Sequence, residues 1–133
     1  ASPKGPAGRE RSGKVLMPQG WNDYPLRPQR AIDYLDEVNN DKGGARTIRE
    51  FFLLFMVPGM LHCHRGPGAW DIDYLDPLVD WVVKGKVPEF LVGIQPKARF
   101  TRRHCVYPST AHFNGEDPTK ADSYTCRLVI VPQ

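Results

Sequence analysis

The sequence predicts an α/β fold built on parallel-sheet strands with packed helices and a disulfide-stapled tail. Two observations carry the prediction. Strand-sized apolar runs alternate with stretches of helical spacing, in the order strand, loop, helix, strand, loop, helix. Each of the two strands also runs into a polar, turn-forming loop, the place where such sheets collect functional residues. With 133 residues, 41% of them hydrophobic and 25% charged, the chain falls in the ordinary globular range and is long enough for one packed core.

Taken in order, residues 1–13 are rich in Gly, Pro and Arg and read as an irregular lead-in. Residues 14–18 (KVLMP) form a short apolar run that Gln19 and Gly20 end, as a buried strand would. The loop that follows carries Asp23 and leads into Ala31, Ile32, Tyr34, Leu35 and Val38, whose spacing predicts a helix of about three turns. A polar connection at 41–46 precedes an aromatic and branched run at 48–57, closed by Pro58 and Gly59, which predicts a second buried strand. His62, Cys63 and His64 occupy the loop after it. Tyr74, Leu75, Leu78, Trp81 and Val82 then predict a second helix ending at Gly85, with Pro88 as a stop signal.

Asp71, Asp73, Asp76 and Asp80 read as the solvated face and N-terminal charge complement of that helix. Beyond it, strands are expected only at 91–94 and 128–131, because Pro96, Pro108 and Pro118 interrupt the rest. The chain therefore divides into the lead-in at 1–13, a main unit at 14–95 and a loop-rich tail of the same domain at 96–133. His104 and His112 read as surface residues of that tail.

Composition excludes several functions. The net charge is +3, but the arginines lack the interleaved aromatics of a single-strand binding groove, so no nucleic-acid partner is expected. No apolar stretch approaches the roughly 20 residues of a membrane span, so no membrane partner is expected either. His62 and His64 have no third and fourth ligand nearby, and the D-x-D at Asp71 and Asp73 lacks the later Gly and Glu of an EF-hand. No metal site is predicted. Ala1 reads as the product of processing, truncation or design.

The three cysteines, Cys63, Cys105 and Cys126, form no C-x-x-C pair. If Cys105 and Cys126 close the loop between them, the chain-entropy account gives roughly 3 kcal/mol. Cys63 is then left to a partner outside the chain.

Asp23 and His62 lie on loops after successive strands, the order of the later triad members in α/β-hydrolases, whose chain order is Ser, Asp, His. There the imidazole takes a proton from the serine hydroxyl while the carboxylate holds the other ring N–H. The simpler alternative is that Asp23 begins an Asx-turn near Pro25 and that His62 is a satisfied loop histidine. The nucleophile test fails. Ser2, Ser12, Ser109 and Ser123 lie in no G-x-S-x-G elbow, so the chain alone is not expected to complete a triad.

Residues 55–63 (FMVPGMLHC), followed by Gly66-Pro67-Gly68 and by 78–88 (LVDWVVKGKVP), resemble the tannase and feruloyl esterase family. The likeness extends back through Ser12-Gly13-Lys14 and Gly20-Trp21-Asn22-Asp23 and forward through Cys105-Val106-Tyr107-Pro108 to Cys126. It implies the C-terminal part of a secreted α/β-hydrolase that cleaves aromatic or phenolic acid esters, with Asp23 as triad acid and His62 as base. It further implies that Cys63 bonds a cysteine beside the missing serine and that Cys105 and Cys126 form a separate disulfide. The serine elbow and the lid, with its calcium loop, fall to a companion chain linked through Cys63. The chain itself is expected to need no cofactor. Departures from the family pattern are Ser12 for glycine, Gln19 for a frequent histidine, Leu61 for a small residue and Val83 for a frequent acidic one.

The leading expectation is thus a serine-type ester hydrolase acting on galloyl or feruloyl esters, to which this chain supplies the acid and the base. The competing expectation is an inactive relative that binds an aromatic ligand or a protein partner. A third is a fragment or designed variant with no independent role.

Overall fold

A computed structural model describes residues 12–41 and 48–128. The expectations for residues 1–11, for the connection at 42–46 and for a strand at 129–131 lie outside the described residues; Leu128 itself is irregular. The chain is mixed α/β. Its parallel component is one pair, β1 (Val15–Gly20) and β2 (Phe52–Val57), in register from Val15 against Phe52 to Gly20 against Val57.

All six residues of β2 are buried, so the strand has no solvent face. Strand alternation sends Phe52, Leu54 and Met56 to one side, where they pack with Ala31, Ile32 and Val38 of helix α1 (Pro28–Asp41). Leu53, Phe55 and Val57 face the other side and meet Trp81 of helix α2 (Leu75–Lys84), with Ile72 and Leu91. Each such side chain contributes about 2 kcal/mol by leaving water. Helices on both faces explain why the run reads as continuously apolar. The strand nevertheless starts at Phe52 and not at 48, because the Phe51 N–H bonds back to the Ile48 carbonyl at 3.1 Å and closes a turn. β1 likewise runs past the apolar stretch to Gly20, held by its ladder to β2.

α1 opens on Pro28, whose fixed φ suits a first helical position. α2 is capped by Asp73, whose Oδ1 accepts the Leu75 and Asp76 N–H groups at 3.0 and 3.3 Å. Gly85 ends it in the left-handed region at φ +68, with its N–H on the Asp80 carbonyl.

The tail is more ordered than its prolines suggest. β3 (Asp71–Ile72), β4 (Phe90–Ile94) and β5 (Thr101–Cys105) form an antiparallel sheet, and β6 (Thr110–Phe113) pairs with β7 (Tyr124–Arg127). The prolines fall between these strands. A disulfide joins Cys105 at the end of β5 to Cys126 in β7. The β4–β5 ladder ties the tail to the rest, as do an antiparallel bridge from Phe55 to Val106 and the Tyr107 N–H on the Leu54 carbonyl at 2.7 Å.

His104 is a correction to the surface reading. It is 3% exposed, and its Nε2–H donates to the Ala69 carbonyl at 2.7 Å. Its β-strand position points it inward, over Gly93, where a Cβ would run into the Ala69 carbonyl and the imidazole. His112 of β6 is half-buried and bonds Thr110 Oγ1.

Two expected outcomes follow from this packing. Burial disfavours the imidazolium of His104 and the neighbouring Arg102 adds to that, outweighing the Ala69 bond, so its pKa lies below the ordinary 6.5. The unfolded chain takes up this proton first, so the contribution is complete above 6.5 and is lost as pH falls through the folded value. Thermal unfolding between about pH 7 and pH 5 should therefore fall more steeply for the wild type than for His104→Gln; parallel slopes would refute the assignment. At the end of β1, a Cβ on Gly20 would strike the Met60 and Leu61 carbonyls. Gly20→Ala should cost about 2 kcal/mol in denaturant unfolding.

Candidate active site

Parallel pairing places the carboxyl ends of β1 and β2 side by side, and the ladder continues beyond both strands. The Trp21 N–H bonds the Val57 carbonyl at 3.0 Å and the Asn22 N–H bonds the Met60 carbonyl at 3.1 Å. Gly20 makes this close backbone approach possible. A tight turn then brings Asp23 back, its N–H 3.4 Å from the Gly20 carbonyl.

Asp23 and His62 meet across these loops. The His62 Nδ1–H donates to Asp23 Oδ2 at 2.8 Å, with the proton on Nδ1 because an ionised carboxylate only accepts. The same Oδ2 accepts from Gln19 Nε2 at 3.2 Å, and Oδ1 accepts the Leu26 N–H at 3.0 Å. Burial by itself would push the Asp23 carboxyl up. The bonds from Leu26, His62 and Gln19 together outweigh burial and hold the pKa below the ordinary carboxylate value. The pair is asymmetric: the Asp23 side chain is 4% exposed and the His62 side chain 49%. Among the described residues, no hydrogen bond engages His62 Nε2.

The loop after β2 holds an unusual backbone. Cys63 and Arg65 sit in the left-handed region at φ +64 and +67, a conformation that costs non-glycine residues about 1 kcal/mol or more. Four hydrogen bonds fix it. The Leu61 N–H bonds the Arg65 carbonyl at 3.0 Å, the Gly68 N–H bonds the Gly59 carbonyl at 3.1 Å, and Gln95 Nε2 donates to the carbonyls of Gly66 and Gly68 at 2.9 and 2.8 Å. Cys63 is exposed and its thiol is free, whereas Cys105 and Cys126 are bonded to each other. His64 points its Nδ1 to the His62 carbonyl at 3.2 Å and its ring edge to Trp70. No group of three His, Cys, Asp or Glu residues suited to a metal ion occurs among the described residues.

The described serines are placed apart from this chemistry. Ser12 precedes β1, Ser109 closes a turn onto the Val106 carbonyl, and buried Ser123 accepts the Asp117 N–H on its Oγ. Gln19, read from the sequence as flanking the site but given no role, holds Asp23, and Gln95, which the sequence reading did not assign, holds the His62 loop. The signal for the first was its four-residue interval from Asp23 across a turn. For the second it was a polar residue placed directly after an apolar strand and before Pro96.

The profile of the family described as tannase and feruloyl esterase matches residues 6–127. Among curated relatives, the chain is 37% identical over 120 residues to a probable feruloyl esterase of Arthroderma benhamiae, covering 85% of this chain and 22% of that protein. It is 36% identical over 113 residues to the mono(2-hydroxyethyl) terephthalate hydrolase of Piscinibacter sakaiensis, covering 80% and 18%. It is also similar in structure to an esterase from Aspergillus oryzae, with a TM-score of 0.83 at 27% identity over 90% of this chain and 28% of that one. The tannin acyl hydrolase of Aspergillus niger shares the fold at a TM-score of 0.74 and 21% identity, over 91% of this chain and 24% of that one. The chain thus spans about a fifth of the curated relatives it matches. With nearly its whole length matched by one family profile, the chain belongs to the tannase and feruloyl esterase family.

Proposed function

We propose that this chain supplies the acid and base of a serine-type carboxylic ester hydrolase acting on esters of aromatic or phenolic acids. The observation that carries the reading is the 2.8 Å contact between His62 Nδ1 and a buried, ionised Asp23, which leaves Nε2 on the open side of the ring. A carboxylate on Nδ1–H makes Nε2 the basic nitrogen and stabilises the imidazolium once Nε2 takes a proton. We read residues 14–95 as the C-terminal part of an α/β-hydrolase domain and 96–133 as its tail. The β1–β2 pair, with Asp23 and His62 at the same end, supports that reading.

In the proposed chemistry the serine belongs to a companion chain, joined through the exposed Cys63. His62 Nε2 removes the serine proton as Oγ attacks the ester carbonyl. The tetrahedral oxyanion collapses, and the imidazolium gives the same proton to the departing alcohol. His62 then takes a proton from water, whose oxygen attacks the acyl-enzyme, and returns it to serine Oγ as the aromatic acid leaves. Asp23 stays ionised throughout. The lid, with the calcium expected there, lies on the companion. Secretion is part of the proposal, supported by the Cys105–Cys126 disulfide, since such bonds persist in oxidising compartments. Names of relatives that include feruloyl esterase and terephthalate monoester hydrolase support the aromatic-acid substrate class.

The test uses the assembled protein and a phenolic acid ester. His62→Ala and Asp23→Asn should each lower kcat by about 10⁴-fold with unfolding midpoints near that of the wild type. Wild-type turnover by folded His62→Ala would overturn the reading, and no turnover by the assembled wild type would leave the inactive, ligand-binding relative. Intact mass should show the companion on this chain only without reductant, and Cys63→Ser should release it. Ester hydrolysis by this chain alone would refute the division between two chains.

A further inference from the structure

We infer that Gln19 is a positioning residue, which aims the Asp23 carboxylate at His62 by occupying the remaining acceptor site of the oxygen that His62 uses. The inference rests on the acid and base reading above and adds the group that orients the acid. Gln19 is 8% exposed and stands in β1, one residue before the close approach at Gly20. Its Nε2 has two protons, and the structure gives it two acceptors, the Gly20 carbonyl and Asp23 Oδ2, both at 3.2 Å. Both protons of the amide nitrogen are thereby used, one on the backbone and one on the carboxylate.

The geometry divides labour between the two carboxylate oxygens. Oδ1 is held by the Leu26 N–H, which fixes where the carboxylate sits. Oδ2 has two in-plane acceptor directions, and donors from Gln19 and His62 share them. With the first direction filled, the second points at Nδ1, and the ring cannot exchange partners within Oδ2. The chemistry of the donor matters too. An amide carries no charge, so it orients Asp23 without neutralising it, whereas an ammonium or guanidinium in its place would compete with the imidazolium for the same negative charge. His62 is the titratable group that acts on Asp23 among the described residues. The other contacts are the Leu26 backbone and the Gln19 amide, so a change in charge at position 19 is read directly by the pair.

Two variants of the assembled protein test the inference, assayed beside His62→Ala. Gln19→Leu removes the donor while filling much of the space, and kcat should fall roughly tenfold with KM unchanged, the loss of one hydrogen bond to a charged group. Gln19→Glu is nearly isosteric and adds a second carboxyl group. Held against Asp23 Oδ2 and the Gly20 carbonyl, the new carboxyl keeps a proton and donates as the amide does, then loses it as pH rises, so the kcat/KM profile should gain a pH-dependent limb that the wild type lacks and that a purely structural role does not produce. If both variants fold and keep the wild-type kcat and pH profile while His62→Ala is inactive, this inference fails and the acid and base reading stands. If His62→Ala is itself fully active, that reading fails first. If Gln19→Leu does not fold, the Gln19→Glu profile decides. Failure of both to fold would assign Gln19 to the scaffold and overturn the inference.

Discussion

A carboxylate taken out of water costs several kcal/mol unless donors replace its hydration, and the candidate site is organised around meeting that demand at Asp23. Three donors reach it: a backbone N–H from the loop leading to α1, an amide from the end of strand β1, and an imidazole from the loop after β2. The net result is a carboxyl held ionised despite burial. Its charge then has one route outward, through the imidazole, because the other two donors are neutral and fixed. That asymmetry lets a buried acid act on a half-exposed base.

The scaffold follows from the same demand. Three donors converge on one carboxylate only if the two loops are held to within a few tenths of an ångström, and a parallel pair whose ladder continues into both loops does this with backbone alone. β2 anchors the pair because its six side chains are buried on two faces, against α1 on one and α2 on the other. Sliding β1 by one residue would exchange its faces and separate Asp23 from His62 at once. The hydrophobic core therefore sets the register, and the register sets the site.

Much of this was legible in the sequence because strand and helix periodicities report burial, and burial is what builds β1, β2, α1 and α2. Asp23 and His62 were legible as loop residues after successive strands for the same reason. The tail was less so. β5 (TRRHC) and β6 (TAHF) carry polar and charged residues, and their pairing depends on partners distant in sequence. His104 shows the difficulty best: a histidine between arginine and cysteine looks solvated, yet the pleat turns it inward onto the Ala69 carbonyl, over a glycine that the sequence places eleven positions earlier. Gln19 was visible as a departure from a family pattern, but its contact with Asp23 depends on a turn whose exact closure no periodicity encodes.

The tail also bears on the site, although none of its residues touches Asp23 or His62 among the described contacts. Gln95, just past β4, holds the carbonyls of Gly66 and Gly68 and so grips the far end of the loop that carries His62. β4 is held in turn by β5, and β5 is tied to β7 through Cys105 and Cys126. Left-handed backbone at Cys63 and Arg65 persists only where the surroundings over-determine it. Here the over-determination comes from both sides: the parallel ladder fixes the loop where it leaves β2, and the stapled antiparallel sheet fixes it where it returns. The loop is therefore rigid at its two ends and exposed at its middle, where His62 and Cys63 stand. In the proposed reaction, a base that must meet a hydroxyl from outside the loop requires both properties, a fixed direction for its ring and an unobstructed nitrogen.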